Sequence, residues 1–295
     1  MNDTTTASAE HQPVIVRRTL LNTAWRELRR APLSAWFGLI VIAIYVFAAV
    51  FAPVIAPYSE TELIGMRNEP WSMHTLLGTD QLGRDFLSRL LYAARNTLGI
   101  AVLTTALSFT IGGVLGLLSA VLGGWVDQVL GRAVDVLMAI PQLIFAMVLL
   151  SIVGPSLLNL VLIIAVLDST RVYRVTRAVA MNVVVLDFVE AAKLQGEKLG
   201  WIMLREVLPN ILPPLVAEFG LRFCFVFLTI SSLSFLGLGI QPPTADWGSM
   251  VKENATLIIS GNITPLIPAA AIALLTVAVN FVVDWFLHKT SGLKG

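Results

Sequence analysis

Charge is what this sequence has least of. Asp, Glu, Lys and Arg make up 13% of its 295 residues, about half the share of an ordinary soluble domain. With a mean hydropathy of +0.80, the chain lacks the polar surface that a water-soluble globule needs. A net charge of +1 excludes the basic footprint of a nucleic-acid binder. The single cysteine, Cys224, sits inside an apolar run, which excludes a disulfide framework and a thiolate metal cluster. The three histidines, His11, His74 and His288, lie far apart and have no metal-ligand spacing. Period-two alternation is missing, which argues against a β-barrel. No G-x-x-x-x-G-K-[ST] phosphate cradle, H-E-x-x-H pair or G-x-S-x-G elbow occurs. The expectation is an all-α chain that is not an enzyme and binds no metal or cofactor itself.

What the sequence does have is apolar runs close to the roughly 20 residues that cross a bilayer. Six are expected: about Ser34 to Ile55, Thr97 to Val121, Ala133 to Val153, a short one from Ser156 to Leu167, Leu212 to Leu233, and Leu266 to Leu287. The first begins over thirty residues in and is too long for a signal-peptide core, so it reads as an uncleaved first helix. Lys and Arg set the orientation. With the N-terminus inside, the inner segments hold Arg17, Arg18, Arg26, Arg29, Arg30, Arg132, Arg171, Arg174, Arg177, Lys193, Lys198, Arg205, Lys289 and Lys294. The outer ones hold only Arg67, Arg84, Arg89, Arg95 and Lys252. That bias places both termini in the cytoplasm. The chain then divides into an inner tail (1–33), a first transmembrane helix (34–55), an external loop (56–96), a five-helix core (97–288) and an inner tail (289–295). Two long outer segments, Pro57 to Asn96 and Ser234 to Pro265, suit contact with something arriving from outside. The plainer reading makes them connectors.

One inner segment stands apart, 187–210, DFVEAAKLQGEKLGWIMLREVLPN. Asp187 and Glu190 have capping-box spacing, with Asp187 as N-cap. Ala191 and Ala192 are small enough to let another surface approach. Gly196 and Gly200 permit a turn. Leu199, Ile202, Met203 and Val207 form an apolar stripe on a second helix, which Pro209 is expected to end. Pro213 and Pro214 then fit the first turn of the fifth span. By itself this pattern also fits an amphipathic hairpin lying on the membrane surface.

Charges inside the spans are few. Glu218 and Arg222 are four apart on one helix face, where each satisfies the other. An unpaired charge at mid-membrane costs at least about 2.5–3.5 kcal/mol. The pair faces the pore or a neighbouring subunit, or it simply locks its own helix. Asp168 is expected at the water boundary, where the fourth span ends. Asn280 and Asp284 read as packing or interface anchors, and Pro141 and Pro268 as kinks within the third and sixth spans.

The segment Glu190-Ala191-Ala192, three residues, Gly196, then Leu208-Pro209 resembles the EAA loop of permease subunits of bacterial ABC importers, with Glu206 where that pattern usually has isoleucine. Gly78-Thr79-Asp80-Gln81-Leu82-Gly83-Arg84-Asp85 with Ser88-Arg89-Leu90, Gly123-Gly124-Trp125-Val126-Asp127, and Ser232 to Gly239 followed by Gln241-Pro242-Pro243 and Trp247-Gly248 resemble the second (C-type) permease of dipeptide, oligopeptide and nickel importers. The chain departs from that family at Asp168-Ser169-Thr170-Arg171 and in the tail after Asp284. The resemblance implies a type I ABC importer permease fold in a bacterial cytoplasmic membrane. It also implies half of a heteromeric pore, completed by a sister permease. Two cytoplasmic ATPases, carrying ATP and Mg, would dock on Glu190, Ala191, Ala192, Gly196, Leu208 and Pro209. An extracytoplasmic solute-binding protein would deliver peptides, a nickel chelate or glutathione. The alternative of another class is a stand-alone secondary transporter, for which the sequence offers no internal inverted repeat.

Overall fold

The computed structural model describes residues 31–290. The inner-tail residues Arg17, Arg18, Arg26, Arg29, Arg30 and Lys294, and His11, lie outside the described residues. Helix α1 (Leu33–Ile55) has no charged side chain along its 23 residues. Helix α2 (Phe86–Leu122) begins where the Asp85 carboxylate caps the Ser88 N–H at 2.7 Å. Its 37 residues make a rod of about 55 Å, longer than a hydrocarbon core of about 30 Å. Helices α3 (Gly124–Met138) and α4 (Gln142–Val153) follow, then α5 (Leu157–Val184), capped by Ser156. Short α6 (Asp187–Leu194) and α7 (Leu199–Trp201) lead through a π-helical turn, Ile202–Val207, into α8 (Leu208–Leu236). Helix α9 (Trp247–Asn254), a 3-10 turn (Ala255–Ser260) and α10 (Leu266–Thr290) complete the order. Among the described residues the only β pairings are two isolated bridges, Leu63 with Arg84 and Thr79 with Asp85.

Four helical runs are long and apolar enough to cross a membrane: Leu33–Ile55, Phe86–Leu122, Leu199–Leu236 and Leu266–Lys289. The α3–α4 pair makes a fifth when its two halves are taken as one span. Helix α5 has the length, 28 residues, but carries Asp168, Arg171, Arg174 and Arg177 along it.

Several sequence expectations change here. The fourth span does not stop at Leu167; α5 runs on to Val184. Asp168 is therefore mid-helix and fully buried, because its partners on other helices replace the water that the sequence alone would demand. The third span is two helices meeting at 84°. Pro141 is the N-cap of the second, so its kink is a break. Pro268 falls in the first turn of α10, where a missing N–H costs nothing. Pro209 does not end its helix. The π-helical turn ahead of it already shifts the backbone register, with Leu208 N–H bonded to Met203 C=O, so a residue without a donor enters the first turn of α8. Pro213 and Pro214 then lie inside α8.

The most extensive helix packing in the fold is between α2 and α5. Gly112 and Gly116 carry it. A Cβ on Gly112 would overlap the Ser169 carbonyl and stand 2.9 Å from Tyr173 N. One on Gly116 would meet Thr176 Cβ at 2.8 Å and the Tyr173 carbonyl at 2.9 Å. Apolar attraction between helices is weak in lipid, so small residues four apart bring backbones into van der Waals contact instead. Two apolar clusters sit along this seam. One, around Phe86, Leu160, Ile164, Phe227, Ile230 and Trp247, fills the middle and the end near α9. The other, around Leu117, Ala180, Val189, Ile202, Val207 and Ile211, lies at the end holding α6.

Candidate functional site

The α6 end presents a short helix with two unlike faces. Its first residue is Asp187; the N-cap is Leu186 and makes no side-chain cap bond. The expected capping box does not form, because Leu186 takes the cap position and Asp187 starts the helix. Asp187 and Glu190 still lie in the first turn, where the helix dipole favours a carboxylate. Val189 and Ala192 are buried in the apolar cluster with Leu117 of α2, Ala180 of α5 and Ile211 and Leu215 of α8. Glu190, Ala191 and Gly196 face outward. The helix closes in a Schellman arrangement: Glu197 N–H bonds Ala192 C=O at 3.2 Å and Gly196 N–H bonds Lys193 C=O at 3.1 Å. Gly196 has φ +80°, a conformation that side chains with a Cβ resist. Gly200, in contrast, is an ordinary helical residue. The stripe Leu199, Ile202, Met203, Val207 packs inward as its spacing predicts. Leu208 is half-buried and Pro209 exposed. The small helix is thus a knob, its inner face packed in an apolar cluster shared with three long helices and its outer face open.

Glu218 and Arg222 on α8 do meet, with Arg222 Nε 2.7 Å from Glu218 Oε1. The contact is an ion pair without hydrogen-bond alignment. The pair is not alone. Asp168 of α5 lies 3.8 Å from Arg222 Nη1 and accepts a 2.8 Å hydrogen bond from Ser108 of α2. The Arg222 guanidinium lies 4.7 Å from the centre of the Phe225 ring, and that of Arg171 lies 5.9 Å from it. Sequence reasoning missed Asp168, Ser108 and Arg171 as members of this group. The available signal was a charged residue interrupting an apolar run, which in a membrane marks a site by default.

At the opposite end, residues 57–85 and 237–265 fold over the start of α2. The Asp80 carboxylate sits at their centre. It takes hydrogen bonds from Leu82 N–H (2.8 Å), Arg84 N–H (3.0 Å) and Arg84 Nε (2.7 Å), and pairs with Arg89. Glu253 approaches Arg84 at 3.5 Å and Arg89 at 3.2 Å, and its carbonyl accepts from the Gln81 side chain. Asp246 caps α9 through Ser249 N–H (2.9 Å) and receives Thr97 Oγ1 at 2.9 Å. Burial pushes the carboxyls of Asp246 and Glu253 above the ordinary carboxylate range, against the pull of these donors. The charged residues of the 78–90 motif, Asp80, Arg84, Asp85 and Arg89, are all buried. They build this cap and present nothing outward. The exposed side chains there include large apolar ones, Trp71, Met73, Leu76 and Ile259, beside polar ones such as Glu62, Arg67, His74 and Lys252.

A third polar knot joins α2, α3 and α5 near the knob. Asp127 holds Arg177 with both carboxylate oxygens, one contact at 2.5 Å, and accepts from Ser119. Ser119 and Tyr173 hydroxyls lie 2.7 Å apart. It uses the aspartate of the Gly-Gly-Trp-Val-Asp motif to tie the start of the broken span to α5.

Comparison with known proteins adds three findings. The family described as Binding-protein-dependent transport system inner membrane component matches residues 112–289. The N-terminal TM domain of oligopeptide transport permease C matches residues 19–70. Among curated relatives, the chain is 34% identical over 279 residues to a di/tripeptide transport system permease protein of Pseudomonas aeruginosa, covering 92% of each chain. It is 33% identical over 263 residues to a dipeptide transport system permease protein of Alkalihalophilus pseudofirmus, covering 88% of this chain and 86% of the relative. It is 31% identical over 280 residues to a glutathione transport system permease protein of Pectobacterium atrosepticum, covering 92% of this chain and 91% of the relative.

Proposed function

This chain belongs to the family of binding-protein-dependent transport system inner membrane components, and from that premise we propose that it is the peptide-conducting permease subunit of an ATP-driven importer. The observation that carries the mechanism is the two-faced α6 knob. Its open face, Glu190, Ala191 and Gly196, suits a groove on a cytoplasmic ATPase. Its buried face, Val189 and Ala192, is continuous with α2, α5 and α8. Nucleotide-driven closure of two ATPases would draw this knob and its counterpart on a sister permease together. The packed inner face would pass that displacement to the long helices, shifting them between inward- and outward-open states. In this reading α5 crosses the membrane despite its charges, giving six spans with both termini in the cytoplasm. The folded cap faces outward, where a solute-binding protein delivers its load.

Di- and tripeptides are the solutes this reading favours, on the names of the relatives. Glutathione, named for another relative, is itself a small peptide and shares their chemistry.

The test is reconstitution of the chain in liposomes with its sister permease, the ATPases and the solute-binding protein. Peptide uptake should require ATP and every one of these components. Solute uptake by this chain alone would end the importer reading. Gly196→Trp should leave the chain in the membrane and abolish ATP-driven uptake; unchanged uptake by that variant would sink the docking role of the knob.

A further inference from the structure

The charged group at mid-chain is larger than a helix lock requires. A lock needs only Glu218 and Arg222, four apart on α8. Here two acids and two arginines come from two helices. Asp168 and Arg171 are one turn apart on α5, and Glu218 and Arg222 are one turn apart on α8. The set is incompletely satisfied. Asp168 is fully buried, yet its Oδ1 accepts no hydrogen bond; Arg222 Nη1 donates none. Arg171 pairs with no carboxylate among the described residues, and its guanidinium lies toward the ring of the half-exposed Phe225. Buried polar atoms left without partners are costly, and in a membrane protein such groups mark a solute path.

The surroundings agree. Arg171 and Thr170 also line a small polar cavity of about 90 Å³ where α3 breaks from α4, together with Gln142 and Pro141. Non-helical backbone at membrane depth is tolerated where it is buried in protein or lines a water-filled cavity, and discontinuous helices supply solute sites in other transporters. Arg171 thus stands between a cavity at a broken helix and an exposed aromatic ring. Arg222 is in direct contact with Glu218 and Asp168, whereas Arg171 feels both carboxylates only at longer range, so its guanidinium is the one with donors left for an incoming anion.

We propose that Asp168, Arg171, Glu218 and Arg222 form a way station for the charged backbone ends of a passing peptide, with Arg171 binding its terminal carboxylate. Guanidinium and carboxylate match as a planar two-point pair. Asp168 acts as a positioning residue: it accepts Ser108 with one oxygen and holds Arg222 of α8 against α5, over the same Phe225 ring as Arg171. The station accounts for the mixture of signs. A zwitterion crossing a low-dielectric region needs counter-charges of both kinds in one place.

The proposal rests on the peptide-importer reading, and the test separates the two. The complete transporter, with its binding protein, is reconstituted as wild type, Arg171→Gln and Arg171→Lys. Uptake of Ala-Ala is compared with uptake of Ala-Ala amide, which lacks the carboxylate. Binding-protein selectivity is common to all three preparations and cancels from the comparison. Arg171→Gln should lower the preference for the free acid about tenfold or more relative to wild type, while binding-protein-stimulated ATP hydrolysis persists. Arg171→Lys keeps the charge without the fork and should give an intermediate preference. A wild-type preference in either variant, or equal loss for both solutes, would overturn the way station. If Arg171→Gln does not assemble, the lysine variant alone decides by the same ratio. Absence of any ATP-driven peptide uptake by wild type would instead refute the importer reading.

Discussion

Ser108 of α2 donates a 2.8 Å hydrogen bond to Asp168 of α5, across the seam where Gly112 lets the two backbones touch. The contact fixes a carboxylate that bears on Arg222 of a third helix. Removing one member of a buried ion pair costs about 3–5 kcal/mol, because the other charge is stranded. Losing one hydrogen bond to it costs about 1–3 kcal/mol. Asp168→Ala should therefore lower the thermal stability of the purified protein clearly more than Ser108→Ala. Equal effects would mean that Arg222 does not depend on Asp168.

The α2–α5 seam makes a second prediction with a built-in control. Gly112→Leu places a side chain where the Ser169 carbonyl already lies, so the helices must part. Gly113→Leu, one residue along, meets nothing within 4 Å. The first variant should become protease-sensitive in membranes, whereas the second should resemble wild type.

Gly196 and Gly200 give a similar contrast in the knob. Gly196 holds φ +80° with open space around it, so any effect of Gly196→Ala comes from backbone strain, about 1–2 kcal/mol for a left-handed residue. Gly200→Ala has neither obstacle. ATP hydrolysis coupled to peptide uptake should fall for Gly196→Ala and partly recover in Gly196→Asn, since asparagine tolerates that conformation. Gly200→Ala should be neutral.

The outer cap should respond to pH. Burial raises the folded-state pKa of Glu253 and Asp246 above their unfolded values. For an acid shifted upward, the folded state binds the proton more tightly, so stability is greatest at low pH and falls as pH rises from the ordinary carboxylate range to the folded pKa. Melting temperature against pH should slope downward in that window, and Glu253→Gln should remove part of the slope. An unchanged slope would show that Glu253 does not titrate there.

Much of the architecture was legible because it depends on local patterns. A 23-residue run without charge can only be a span, and the Leu199-Ile202-Met203-Val207 spacing puts one face inward whatever it packs against. Gly196 announced its turn for the same reason: its conformation is a property of one residue and its neighbours. Pro209 misled because a proline's effect depends on the hydrogen-bond register of the helix it enters, and the π-helical turn at Ile202–Val207 had already changed that register. Asp187 misled because the cap position is set by where the preceding chain turns, and that turn comes at Leu186.

By itself, then, the sequence determined that this is a helical membrane chain with one polar segment set between its apolar runs, since hydrophobic period and composition act over a few residues at a time. Only the tertiary structure decided where the charges go. Asp168 looked like the end of a span because a lone carboxylate cannot stay in an apolar helix. It stays because Ser108, sixty residues earlier, and Arg222, on another helix, reach it across backbones that Gly112 and Gly116 bring together. The energy of a buried charge is set by its partners in space, and those partners are distant in the chain.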